Sequence, residues 1–125
     1  VSLSQKYEGV VERAQKLGIR DLKTAEVGGQ FQIGGTAPYR LEKDLLWDTI
    51  KKQTNWESEV VADIKVEKDD IFGVWTVQPG DSLSKIAKSV YDDGQRYMAI
   101  FEANRSILKD PDKIQVGQKL VIPNV

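Results

Sequence analysis

The sequence predicts an α+β chain made of two small units, an αββαβ half followed by a βααβ half. Three observations carry this prediction. Apolar residues recur at helical spacing in four segments and alternate at strand spacing in two others. Glycine and proline stand where one pattern gives way to the next. Between the halves, Asp69-Asp70-Ile71-Phe72-Gly73 is short and partly apolar, unlike a Gly/Ser tether. The expected units are therefore residues 1–68 and 74–125, joined at 69–73 with restricted motion between them.

In the first half, a helix is expected over 4–17, where Tyr7, Val10, Val11, Ala14 and Leu17 share a face and Gly18 stops the run. Residues 22–27 and 30–33 read as strands joined at Gly28-Gly29, a hairpin signal, with Phe31 and Ile33 alternating with Gln30 and Gln32. Gly34-Gly35-Thr36-Ala37-Pro38 is expected to end the second strand. A helix over 39–53 follows, its stripe formed by Leu41, Leu45, Leu46, Thr49 and Ile50. A strand over 59–67 places Val60, Ala62, Ile64 and Val66 opposite Asp63, Lys65 and Glu67. Helices on one face of such a sheet leave the other face wet.

The second half opens with a strand at 74–77 and the turn Gln78-Pro79-Gly80, after which Asp81 or Ser82 can cap a helix. Leu83, Ile86, Ala87, Val90 and Tyr91 form that helix's stripe, and Asp92-Asp93-Gly94 breaks it. A second helix is expected over 95–104 with Tyr97, Ile100 and Phe101 inward. A long loop, 105–118, leads to a final strand at 119–122 that pairs antiparallel with the first.

Composition narrows the chemistry. The 125 residues carry a net charge of −1, without the basic excess that favours nucleic acid, so no nucleic-acid partner is expected. No apolar run approaches the roughly 20 residues of a membrane span. Without cysteine there is no disulfide or thiolate; without histidine the commonest general base and transition-metal ligand are missing. The chain begins at Val1 rather than Met, as expected when a preceding segment, a signal peptide among the candidates, has been removed. The compartment stays open between cytoplasm and periplasm or cell envelope.

The second half resembles LysM domains over its whole length. The resemblance lies in Trp75-Thr76-Val77-Gln78-Pro79-Gly80-Asp81-Ser82-Leu83, Ile86-Ala87, Ile100-Phe101-Glu102-Ala103-Asn104 and the run from Ile114 to Pro123. Val116 departs from it, standing where the family usually has proline. The first half resembles the BON domain through Phe31-Gln32-Ile33-Gly34-Gly35-Thr36 and the strand at 60–66. The pairing is similar to a family of bacterial BON–LysM proteins described as potassium-binding.

The LysM resemblance implies a non-catalytic module binding N-acetylglucosamine-containing glycan such as peptidoglycan. Its groove would lie between Gly80, Asp81, Ser82 and Leu83 on one side and Ile107, Leu108, Asp110, Pro111 and Ile114 on the other. Such residues also suit a plain strand-to-helix turn and a core. The BON resemblance implies contact with a protein or membrane surface. The alternative is an ion-responsive cytoplasmic protein in which a potassium ion bridges the halves; a third reading is a scaffold that recruits partners by strand addition. Asp69-Asp70, Asp92-Asp93-Gly94 and Asp110-Pro111-Asp112 are the oxygen-rich spots, but they read first as a joint, a helix stop and a turn respectively, and no cofactor is assigned. Trp47 and Trp56 read as packing residues before partner contacts. The two binding-type halves leave no room for a catalytic domain, and the chain is expected to be a monomeric binding protein.

Overall fold

A computed structural model describes residues 2–124. Val1 and Val125, the outermost residues of the two expected units, lie outside the described residues. The chain divides into two compact units, Val1–Asp69 and Asp70–Val125.

The first unit begins with two short helices where one is expected. Ser2 caps α1 (Leu3–Lys6) in a reciprocal capping box with Gln5, and α2 (Glu8–Lys16) follows after a break at Tyr7. Tyr7 is fully buried, stacks on Phe31 at 5.3 Å and donates its hydroxyl to Glu59 at 2.9 Å, so tertiary contacts hold the residue at which the helix turns. Gly18, at φ 78, ends α2 as its position suggests.

Strands β1 (Arg20–Val27) and β2 (Gln30–Ala37) form an antiparallel hairpin. Gly28 and Gly29 both have positive φ, as a two-residue type I′ turn requires. Contrary to the sequence expectation, β2 does not end at Gly34 but runs on to Ala37. Gly35 is there because the chain crosses so closely: a Cβ would lie 2.6 Å from Ile19 Cγ2 and 2.9 Å from the Arg20 carbonyl oxygen.

After α3 (Arg40–Lys51) comes a helical turn absent from the sequence reading, α4 (Trp56–Glu59). Trp56 packs edge-on against Trp47 with ring centroids 5.9 Å apart, and both rings lie against the core. Strand β3 (Val60–Val66) then pairs parallel with β2, giving the sheet order β1-β2-β3. The core gathers Tyr7, Val10, Ala14, Phe31, Ile33, Leu46, Ile50 and Ile64. The opposite face, with Lys23, Ala25, Gln32, Val61 and Asp63, is exposed.

In the second unit, β4 (Gly73–Thr76) pairs antiparallel with β5 (Lys119–Ile122). Phe72 and Gly73, expected in the joint, belong to this unit: the Phe72 N–H donates to the Ile122 carbonyl at 2.8 Å, and its ring meets Tyr91. Helix α5 (Leu83–Tyr91) buries Leu83, Ile86, Ala87 and Val90. Asp92 closes it in the left-handed conformation, and Asp93 caps a 3-10 turn, Gly94–Arg96, that replaces the first turn expected of the next helix. Helix α6 (Tyr97–Ala103) buries Ile100 and Phe101.

Candidate functional site

The antiparallel register sets Thr76 opposite Lys119. The turn leaving β4 and the loop entering β5 therefore emerge at the same end of this sheet. Hydrogen bonds from Val77 N–H to the Gln118 carbonyl and from Gly117 N–H to the Val77 carbonyl, both 2.9 Å, hold their bases together.

The turn is rigidly made. Gly80 sits at φ 85, which explains glycine there. Asp81 turns its carboxylate inward: Oδ2 accepts from Gln78 N–H at 2.8 Å and from the Trp75 indole N–H at 3.0 Å. Ser82 caps α5 by accepting from Lys85 N–H at 3.2 Å, and the Lys85 ammonium donates to the Gly80 carbonyl at 3.2 Å. Leu83 is only 2% exposed. Of the four turn residues named from the sequence, Gly80 is the exposed one, Asp81 and Ser82 are half-buried, and Leu83 contributes backbone alone.

In the loop, Ile107 is 50% exposed, whereas Leu108 is 2% exposed and belongs to the core. Asp110 Oδ1 accepts from Asp112 N–H at 2.8 Å, closing a turn that includes Pro111. Ile114 is half-buried. An open hollow of about 540 Å³ lies on this side, lined by Phe101, Arg105, Leu108, Lys109, Asp110 and Pro111. It takes in three of the residues named from the sequence, but the Gly80 turn is not among its walls. The Arg105 guanidinium lies 5.5 Å from the Phe101 ring and donates to Glu102 at 3.0 Å, so the hollow has one aromatic and two cationic neighbours that sequence reasoning missed.

Also missed was Asn104, the buried polar side chain of this unit at 3% exposure. Its amide nitrogen donates to the carbonyls of Ile100 (2.7 Å) and Val121 (2.8 Å), and its oxygen accepts from Val121 N–H (2.8 Å). This one side chain fixes α6 to β5 and sets where the loop begins and where it must return.

The acidic spots do backbone work. Asp92 ends a helix, Asp93 accepts from Gln95 N–H and Asp110 makes its turn. Among the described residues no group of three or more acidic side chains is placed to hold a metal ion, and no helix is long and apolar enough to cross a membrane.

A two-stranded sheet with helices packed on it and two loops at one end is the arrangement expected of a LysM domain, and residues 75–123 match that family. The second unit is a LysM domain. Over this region the chain is 55% identical across 49 residues to a potassium binding protein, Kbp, of Escherichia coli O6:H1, covering 39% of this chain and 33% of that protein. It is 51% identical across 59 residues to an uncharacterized protein of Deinococcus radiodurans, covering 46% of this chain and 22% of that protein. The matches thus span a third or less of either relative's length. They define a LysM-bearing chain whose matched part is similar to about a third of Kbp.

Proposed function

We propose that the LysM unit binds N-acetylglucosamine-containing glycan of the peptidoglycan type between the turn at 80–83 and the loop at 107–114. We further propose that the first unit acts as a BON-like domain contacting a protein or membrane surface. The observation that carries the glycan reading is the emergence of these two segments side by side at one end of a LysM sheet. A sugar ring offers apolar faces and neutral hydroxyls, and it is held by backbone N–H and C=O groups beside a few apolar walls. In this reading Gly80 lets the chain approach the ring, and Asp81 and Ser82 fix the turn. Ile107 and Ile114 meet ring faces, with Asp110 and Pro111 at the rim. Leu83 and Leu108 anchor the walls from inside. Titration with N-acetylglucosamine oligomers, followed by amide NMR, is expected to move the resonances of 80–83 and 107–114. Resonances that stay fixed at millimolar sugar would reject the glycan reading.

A second reading is favoured by one observation, the similarity to a potassium binding protein. In it the chain binds a potassium ion through carbonyl oxygens. Unfolding would then be harder in potassium than in sodium at equal ionic strength, by about 2.7 kcal/mol at 100 times the dissociation constant. Identical curves in the two salts reject it.

A further inference from the structure

The first unit has a strand edge whose chemistry matches itself. Strand β3 is last in the sheet, paired with β2 on one side and, among the described residues, with no strand on the other. Glu67 N–H donates to the Ala37 carbonyl at 2.8 Å, toward β2. Backbone groups alternate sides along a strand, so Ala62, Ile64 and Val66 turn their N–H and C=O groups to the open edge. On the exposed sheet face of the same strand stand Asp63 and Lys65, neither in an ion pair among the described residues.

We propose that β3 is a homodimerisation edge, on which a second copy of this chain adds its own β3 antiparallel about a two-fold axis at Ile64. That axis sets Ile64 against Ile64 and Ala62 against Val66 as hydrogen-bonded pairs. It sets Asp63 of each copy against Lys65 of the other. These fall at the non-hydrogen-bonded positions, where opposing side chains come closest, so the strand carries two reciprocal ion pairs. All three inward-facing pairs are aliphatic, and the two three-stranded sheets become one. This takes the place of the monomer expected from sequence and does not depend on sugar or ion binding.

The register is specific. Centring the axis on Asp63 would oppose two carboxylates, and centring it on Lys65 would oppose two ammonium groups; both are unfavourable. The other edge, β1, lacks the match. Asp21 sits at φ 54 and the ladder is irregular between Arg20 and Lys23. In the regular part of β1, Lys23 and Glu26 lie on opposite faces, and a two-fold axis cannot oppose them.

Sedimentation of the intact chain from micromolar to millimolar concentration, at low salt, tests the proposal. A concentration-dependent dimer is expected. Lys65→Asp and Asp63→Lys are each expected to raise its dissociation constant roughly tenfold or more, because both pairs turn repulsive. Mixing the two variants in equal amounts should restore association as a heterodimer, since every opposed pair is again of opposite sign. Amide exchange of Ala62, Ile64 and Val66 in the unmodified chain should slow as concentration rises, a readout that needs no variant. A chain that stays monomeric throughout, a dimer indifferent to both substitutions, or a mixture that fails to associate overturns the proposal.

Discussion

The two units treat the free edges of their sheets differently. In the LysM unit, β5 is paired with β4 on one side, and on the other Asn104 stands in for a strand, taking both the N–H and the C=O of Val121. In the first unit, β3 leaves its outer row of backbone groups without a strand among the described residues. An unpaired edge invites another chain, and proteins commonly cover or charge it. One edge is thus closed from within by a single buried amide. The other carries charges that are complementary under a two-fold axis. A residue type therefore says little until the direction of its neighbours' backbone groups is known. Asparagine both donates and accepts, so it can replace a strand's hydrogen bonds, whereas a carboxylate or an ammonium group can supply only one half of them.

The sharpest way to break this contrast is Asn104→Ala, which would make the β5 edge resemble that of β3. It removes three hydrogen bonds and leaves the buried Ile100 carbonyl and the half-buried N–H and carbonyl of Val121 without these partners. A loss of about 3 kcal/mol is expected from the unit's stability, since each buried unsatisfied group costs about 1–3 kcal/mol. Urea unfolding followed by amide signals of Leu120 and Ile33 separates the units: the Leu120 transition should move and the Ile33 transition should not. An unchanged Leu120 midpoint would mean that Asn104 does not hold the edge.

A second substitution probes the strand between the two edges of the first sheet. Gly35→Ala places a Cβ against the Ile19 side chain and the Arg20 backbone, and the backbone cannot yield as a flexible side chain can. A destabilisation of about 2 kcal/mol is expected, in the range for overpacking. Thermal unfolding checks it, and a neutral result would show that β1 can move away from β2.

The position of Gly35 also shows what local sequence carries and what it does not. The stripe on 83–91, the alternation of 60–66 and the Gly28-Gly29 hairpin were legible because each element's own period declares its buried face. Gly34-Gly35 read as a strand end because glycine ordinarily weakens strands. Its actual cause is Ile19, far back in the chain. The break at Tyr7 was hidden for a similar reason, since the ring is fixed by Phe31 and Glu59. At the candidate site, Pro79-Gly80-Asp81-Ser82 declared a turn and a cap. Nothing local told that Leu108 points inward while Ile107 points out, or that Asn104 finds its partner 17 residues on.

The smallest expected effect concerns pH, at the corner where β3 begins. The Glu59 carboxylate accepts from the Lys6 ammonium and from the Tyr7 hydroxyl, and the Lys6 ammonium also donates to the Thr54 carbonyl at 2.6 Å. These contacts, Lys6 first, hold the Glu59 carboxyl below its ordinary value of 4.5. A folded value below the unfolded one means stabilisation that is present above pH 4.5 and lost as pH falls through the lowered value. Tyr7 behaves oppositely. Burial first, and then its hydrogen bond to Glu59, push its hydroxyl from 10.0 up to about 12. Its contribution is therefore intact below pH 10 and lost as pH climbs toward 12. Burial raises Tyr91 of the LysM unit to about 12 as well, so both units should weaken at high pH. On the acid side, the loss from the Lys6–Glu59–Tyr7 corner belongs to the first unit alone. Glu59→Gln should remove that acid-side loss and shrink the alkaline shift of Tyr7, with the LysM unit unaffected. Amide exchange of Phe31 and Leu120 across pH reads the two units separately. If the substitution leaves the acid profile of Phe31 unchanged, the corner does not secure the start of β3, and the open edge would have to be held in place by the sheet alone.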